Sequence, residues 1–157
     1  MSERGRGPPR RARHDAASRF GRGEPALRAR PRATSPAGTP PRLIGLPHAV
    51  LGTGEVVHVA NTFRTRLRGL LGTDELAPHH ALLITSTKSV HTLGMRMPLD
   101  LVWVGADGEL VGLDEAVRPG QQRRCKGAWG VLEVASGSGP RFAALVREGA
   151  VAMMIEH

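Results

Sequence analysis

The run Ser89-Val90-His91-Thr92-Leu93-Gly94-Met95-Arg96-Met97-Pro98-Leu99-Asp100 brings an imidazole, a hydroxyl, a guanidinium and a carboxylate close together, and chemistry is sought there first. If Leu99, Leu101 and Trp103 face one way along a strand, Asp100 shares the opposite face with Val102 and Val104, where an unpaired carboxylate is costly. Asp100 therefore needs a partner, and the candidates are Arg96 on the preceding turn, Arg66 or Arg68 upstream, and His91. Two arrangements would satisfy it. In the first, His91, Thr92, Met95, Arg96, Asp100 and Arg66 surround a small polar pocket for a small molecule, a peptide end or a partner protein, with Arg96 and His91 favouring an anionic group. An enzymatic version lets His91 carry a proton while Asp100 orients it. In the second, Asp100 is structural and caps the Met95-Arg96-Met97-Pro98 turn, with His91 hydrogen-bonded nearby. No catalytic residue is assigned.

Other chemical groups are scattered more widely. His58, His79, His80 and His91 would have to converge to bind a metal, but their spacing matches no ligand pattern, and His79-His80 beside Pro78 reads as a surface loop. No metal or cofactor is expected. Glu133, between Leu132 and Val134, is either a functional carboxylate or an outward-facing residue of a half-buried strand. The single cysteine, Cys125, excludes an intramolecular disulfide and a CxxC zinc site. Its neighbours Arg123, Arg124 and Lys126 would favour a thiolate, although an incidental thiol in a basic loop accounts for the same residues. Gly137-Ser138-Gly139 lacks the third glycine of a dinucleotide fingerprint and the Lys-Ser/Thr end of a phosphate loop, and no Gly-x-Ser-x-Gly elbow occurs.

The elements that must position these residues follow from periodicity and turn chemistry. Val56 to Ala60 reads as a strand, followed by a helix capped at Asn61 or Thr62 that runs to about Leu71 and closes at Gly72, with Phe63, Leu67, Leu70 and Leu71 on one face. Strands are expected at 81–85, near 89–92, at 99–104, at 110–117 beyond an Asp107-Gly108 hairpin turn, at 130–135 and at 151–155, with a second helix at about 141–147. Hairpins outnumber βαβ crossovers. The pattern predicts an α+β fold with a mainly antiparallel, partly barrel-like sheet of about six or seven short strands and two short helices.

Charge divides the chain. Residues 1–45 hold eleven arginines against Glu3, Asp15 and Glu24, which accounts for the whole formal charge of +8. They contain most of the prolines and few large apolar groups, so they read as a disordered leader ahead of a single compact domain at 46–157. Such an arm could associate weakly with nucleic acid through phosphate contacts, although a solvated tail or an upstream-assigned start explains it equally. No run reaches the roughly 18 apolar residues of a membrane span, and no secretory signal is recognisable, so a cytoplasmic protein is expected. Its oligomeric state is open.

Several motifs occur together in order: Arg66-Leu67-Arg68-Gly69-Leu70-Leu71, Ser89 through Asp100, the Asp107-Gly108 hairpin, and Leu132-Glu133-Val134-Ala135-Ser136-Gly137. As a set over about residues 56–155 they resemble the domain of unknown function 192 family, also called uncharacterised protein family 0127. The resemblance implies a compact α+β fold with a central, mostly antiparallel sheet. It carries no catalytic residues. The chain departs from the family's common aromatic-Met-Lys-Asn-Thr run, having His91-Thr92-Leu93-Gly94-Met95 there.

Overall fold

Leu99, Leu101 and Trp103 alternate with Val102 and Val104, so both faces of this segment are apolar apart from Asp100, the pattern of a strand covered on both sides. The computed structural model, which describes residues 35–155, places it inside a sheet with a strand on each side. The elements in chain order are β1 (His48–Val50), β2 (Val56–Ala60), α1 (Phe63–Arg68), β3 (His80–Ile84), β4 (Ser89–His91), β5 (Leu99–Val104), β6 (Leu110–Val117), β7 (Gln122–Arg124), β8 (Gly130–Ala135) and α2 (Gly139–Arg147). Six strands form an open sheet in the order β1-β2-β3-β8-β5-β6, and β4 pairs with β7 in a separate two-stranded ribbon. All pairings are antiparallel except β2 with β3, which the α1 crossover makes parallel.

The sheet separates two cores. On one face Leu82, Ile84, Leu99, Leu101, Trp103 and Val131 pack under Leu43, Leu70, Leu76, Val90 and Met95. On the other, Val57, Ala81, Leu83, Val102, Val104, Leu132 and Val134 are covered by Phe142, Ala143, Leu145 and Val146 of α2 and by Val151 and Ile155. Leu43, upstream of residue 46, is itself 1% exposed in the first core, and Ala37 accepts a hydrogen bond from His80, so packing reaches back into the arginine-rich segment. Residues 1–34 of that segment lie outside the described residues.

Three local expectations need correction. The first helix ends at Arg68, because Gly69 adopts φ 44° and caps it before Gly72 is reached. A strand does not form at 151–155, where Ala152–Met154 make a turn of 3-10 helix instead. Val151 and Ile155 are buried and Met153 is 76% exposed, which is i, i+4 spacing, whereas a strand would bury Met153 as well. The short strands β1 and β7 escaped the sequence reading because each has only three residues, too few to show an alternation.

Candidate functional site

Asp100 finds its partners on the opposite side of the sheet from Arg96, Arg66 and His91. Its Oδ1 accepts from the amide of Ala116 at 2.8 Å, and its Oδ2 accepts from Gly137 at 2.8 Å and Gly139 at 2.9 Å. The carboxylate thus ties the β8–α2 loop and the irregular end of β6, where Ala116 has a left-handed φ of 51°, to β5. Gly139 has no alternative in this position, since a Cβ there would lie 2.8 Å from both Cβ and Oδ2 of Asp100. The bonds hold a different turn from the 95–98 one.

Thr92 is also committed to architecture. Its hydroxyl donates to the Arg118 carbonyl at 2.6 Å and accepts from the Gln121 amide at 2.9 Å, while its own amide donates to the Gln121 carbonyl at 2.8 Å. Thr92→Val leaves the Gln121 amide without its hydroxyl acceptor, and about 1–3 kcal/mol of stability should be lost. Urea denaturation checks this, and an unchanged midpoint would show that the 118–121 turn holds without the hydroxyl. Arg96 pairs with Asp74 at 2.8 Å on the surface.

The other three candidates, Arg66, His91 and Met95, line one cleft of about 460 Å³ between α1, the residues following it, and β4. Its rim is unusually apolar, with Phe63 73%, Leu67 68%, Leu71 41% and Leu93 63% exposed. The helix is only six residues long and buries none of them, so Phe63 and Leu67 of its apolar face open onto the cleft, and only Leu70, beyond the helix, enters the core. Arg66 lies across the end of β3, donating to the Thr85 carbonyl at 3.3 Å, and Ser86, also in the lining, is held at a left-handed φ of 53°.

Glu133 is the decisive lining residue. It sits on β8, paired with Leu82 of β3 on one side and Leu101 of β5 on the other, and is 6% exposed. Its Oε2 is buried without a hydrogen-bond partner. Burial pushes the carboxyl up to about 7, against a smaller opposing pull from the Leu70 backbone. The outward-facing reading of Glu133 fails because β8 is a central strand with both faces covered. The signal was present: Val131 on one parity and Leu132 and Val134 on the other mark a strand buried on both sides, which makes an intervening carboxylate expensive.

A second polar group lies away from the cleft. His58 Nε2 and His80 Nδ1 are 3.1 Å apart, and His80 Nε2 is 3.1 Å from the Ala37 carbonyl. A carbonyl only accepts, so His80 carries its proton on Nε2 and His58 donates from Nε2, which leaves the His58 Nδ1 lone pair buried and unpartnered. Burial, reinforced by the neighbouring His80 and His48, lowers His58 to about 4, and burial also lowers His80. His79 stacks edge-on against His80, but His91 is elsewhere, lining the cleft. Among the described residues no group of three potential ligands is placed to hold a metal ion.

Residues 50–145 match the family described as DUF192, Uncharacterized ACR. The chain belongs to this family. The matched span contains every lining residue of the cleft in this DUF192 domain, from Phe63 to Glu133. No curated protein matches the chain. Two solved structures are similar. A protein of unknown function from Novosphingobium aromaticivorans DSM 12444 is 24% identical with a TM-score of 0.55, over 69% of this chain and 86% of that one. A "putative transcription regulator" from Sinorhizobium meliloti 1021 is 21% identical with a TM-score of 0.51, over 60% and 82%. At these identities the likeness establishes the fold of the DUF192 domain alone. Among its described residues no helix is long and apolar enough to cross a membrane.

Proposed function

We propose that this DUF192 domain is a binding module whose site is the cleft beneath α1, with Glu133 at its floor. The supporting observation is the unpartnered Oε2 of Glu133, a buried acceptor beside a solvent-open cavity. A carboxyl in that position destabilises the fold unless something pairs with it, and a residue retained against stability is characteristic of functional sites. The strained Ser86 in the same lining points the same way. Large apolar groups exposed around the mouth supply contact area for a ligand body, and a few polar groups among apolar walls are the usual composition of a small-molecule site. The site sought around His91 and Asp100 is thereby relocated: His91, Met95 and Arg66 belong to it, and Asp100 is replaced by Glu133.

An enzymatic role for His91 with Asp100 loses its geometry, since the acceptor oxygens of Asp100 are occupied by three backbone amides. The binding reading is tested by titrating isopentylamine and isopentanol into the isotopically labelled full chain. Amide shifts should concentrate at residues 69–71, 86–93 and 133. Shifts centred elsewhere, or none at millimolar probe, would overturn it.

A further inference from the structure

Resting on that reading of the cleft, we infer that its ligand is a free apolar α-amino acid, bound with its ammonium at Glu133, its carboxylate at Arg66 and its side chain against Phe63, Leu67 and Leu93. The inference comes from the set of charges that lines the cleft. At the floor is a lone carboxyl whose free oxygen needs a hydrogen-bond donor. In the same lining are three cations or potential cations, Arg66, Arg68 and His91, and Glu133 is the only acidic group among the lining residues. A simple amine would satisfy the floor but meet a positive wall, and a simple carboxylic acid would satisfy the wall but face the floor carboxyl. A zwitterion satisfies both.

The acid end of the cleft offers room for an ammonium. A point where Gly69 would bear a Cβ lies 3.6 Å from Glu133 Oε2 and 4.0 Å from the Arg66 carbonyl oxygen, so two acceptors flank the small space where the ammonium would sit. Of the five N–H donors of the Arg66 guanidinium, the Thr85 carbonyl engages Nη1, and the fork suits a carboxylate. Gly69, held at φ 44°, has no Cβ to fill this space, where one would lie 3.6 Å from Glu133 Oε2 and 3.8 Å from Ile84 Cδ1. Phe63, Leu67, Leu71 and Leu93 supply exposed hydrocarbon beside the hydroxyls of Ser86, Thr87 and Ser89, and this hydrocarbon favours a leucine-like side chain.

Isothermal titration and amide-shift mapping on the full chain should compare L-leucine with N-acetyl-L-leucine, which lacks the ammonium, and L-leucinamide, which lacks the carboxylate. L-leucine is expected to bind at least about tenfold more tightly than either. Its affinity should rise between pH 6 and pH 8 as Glu133 ionises, and Glu133→Gln should weaken it by about tenfold or more while remaining folded. Arg66→Gln should weaken L-leucine and leave L-leucinamide unchanged. Equal binding of leucinamide at the cleft would overturn the amino-acid assignment and leave the cleft reading standing, with an amine as its ligand. Preferential binding of N-acetyl-leucine, strengthening as pH falls, would overturn it in favour of a protonated Glu133 acting as donor. Binding of isopentylamine or isopentanol with no response to L-leucine would likewise overturn only the amino-acid assignment, whereas silence from all probes would sink both.

Discussion

Asp100→Ala should destabilise the protein by about 4 kcal/mol, because it strands three backbone amides that now donate to one carboxylate. Hydrogen bonds to a charged group contribute about 1.5–3 kcal/mol each, and three that share an acceptor do not add fully. Against a typical total of about 5–15 kcal/mol, that loss leaves the variant marginal at best. Asp100→Asn keeps one carbonyl oxygen but turns an amide nitrogen toward the remaining donors, so it should recover about half. Urea denaturation of the two variants reads this directly. A loss under about 1 kcal/mol in Asp100→Ala would mean that the 137–139 loop closes without the carboxylate, and would reopen the case for Asp100 as a functional group.

The second large effect appears only in the pH dependence of stability. Glu133 has its folded pKa raised to about 7 from 4.5, so its contribution is fully present below pH 4.5 and is lost as pH rises through 7. The difference of about 2.5 units corresponds to about 3 kcal/mol. His58 acts in the opposite sense. Its folded pKa is lowered to about 4 from 6.5, so its contribution is present above pH 6.5 and is lost as pH falls through 4, again by about 3 kcal/mol. Between pH 4.5 and 6.5 the folded state holds one proton more than the unfolded state at Glu133 and one fewer at His58. The two slopes largely cancel, with His80 adding to the acid-side loss.

Single substitutions should therefore expose what the parent protein hides. Relative to the parent, Glu133→Gln should gain about 3 kcal/mol between pH 4 and pH 8, and its own stability should fall steeply below pH 6.5. His58→Gln should show the mirror image, with stability declining from pH 4.5 to 7. Denaturation midpoints at half-unit pH steps in the three proteins test this. Parallel profiles for Glu133→Gln and the parent would show that the carboxyl is not held protonated, and would remove the main support for the cleft as a site.

Much of the fold was readable because the strands carry their burial in their parity. Leu99 to Val104, Val56 to Ala60 and the 106–109 hairpin turn each follow from side-chain alternation and turn chemistry, and the sheet forms accordingly. What periodicity cannot supply is strand order. That β8 lies between β3 and β5 is a long-range fact, and it sets Glu133, on a strand whose parity already marks both faces as apolar, between Leu82 and Leu101. The partners of Asp100 were hidden for a related reason, since backbone amides at residues 116, 137 and 139 leave no side-chain signature. The destination of the α1 face was not readable, because a run of apolar residues at helical spacing shows that they share a side, without showing whether that side meets the core or a cleft.

The shortness of α1 has a dynamic consequence. A six-residue helix is far below the length that is stable by itself, and this one is held by the Thr62–Thr65 capping box, the Arg66 bond to Thr85 and the anchoring of Leu70 rather than by buried residues of its own. Its amides therefore exchange hydrogen through local openings that leave β3, β8 and β5 intact, at a fraction of the free energy needed for global unfolding. One wall of the cleft is thus a separate, weakly stable unit mounted on a rigid sheet, and a ligand that bridges the helix to Glu133 slows exchange in α1 far more than anywhere else in the molecule.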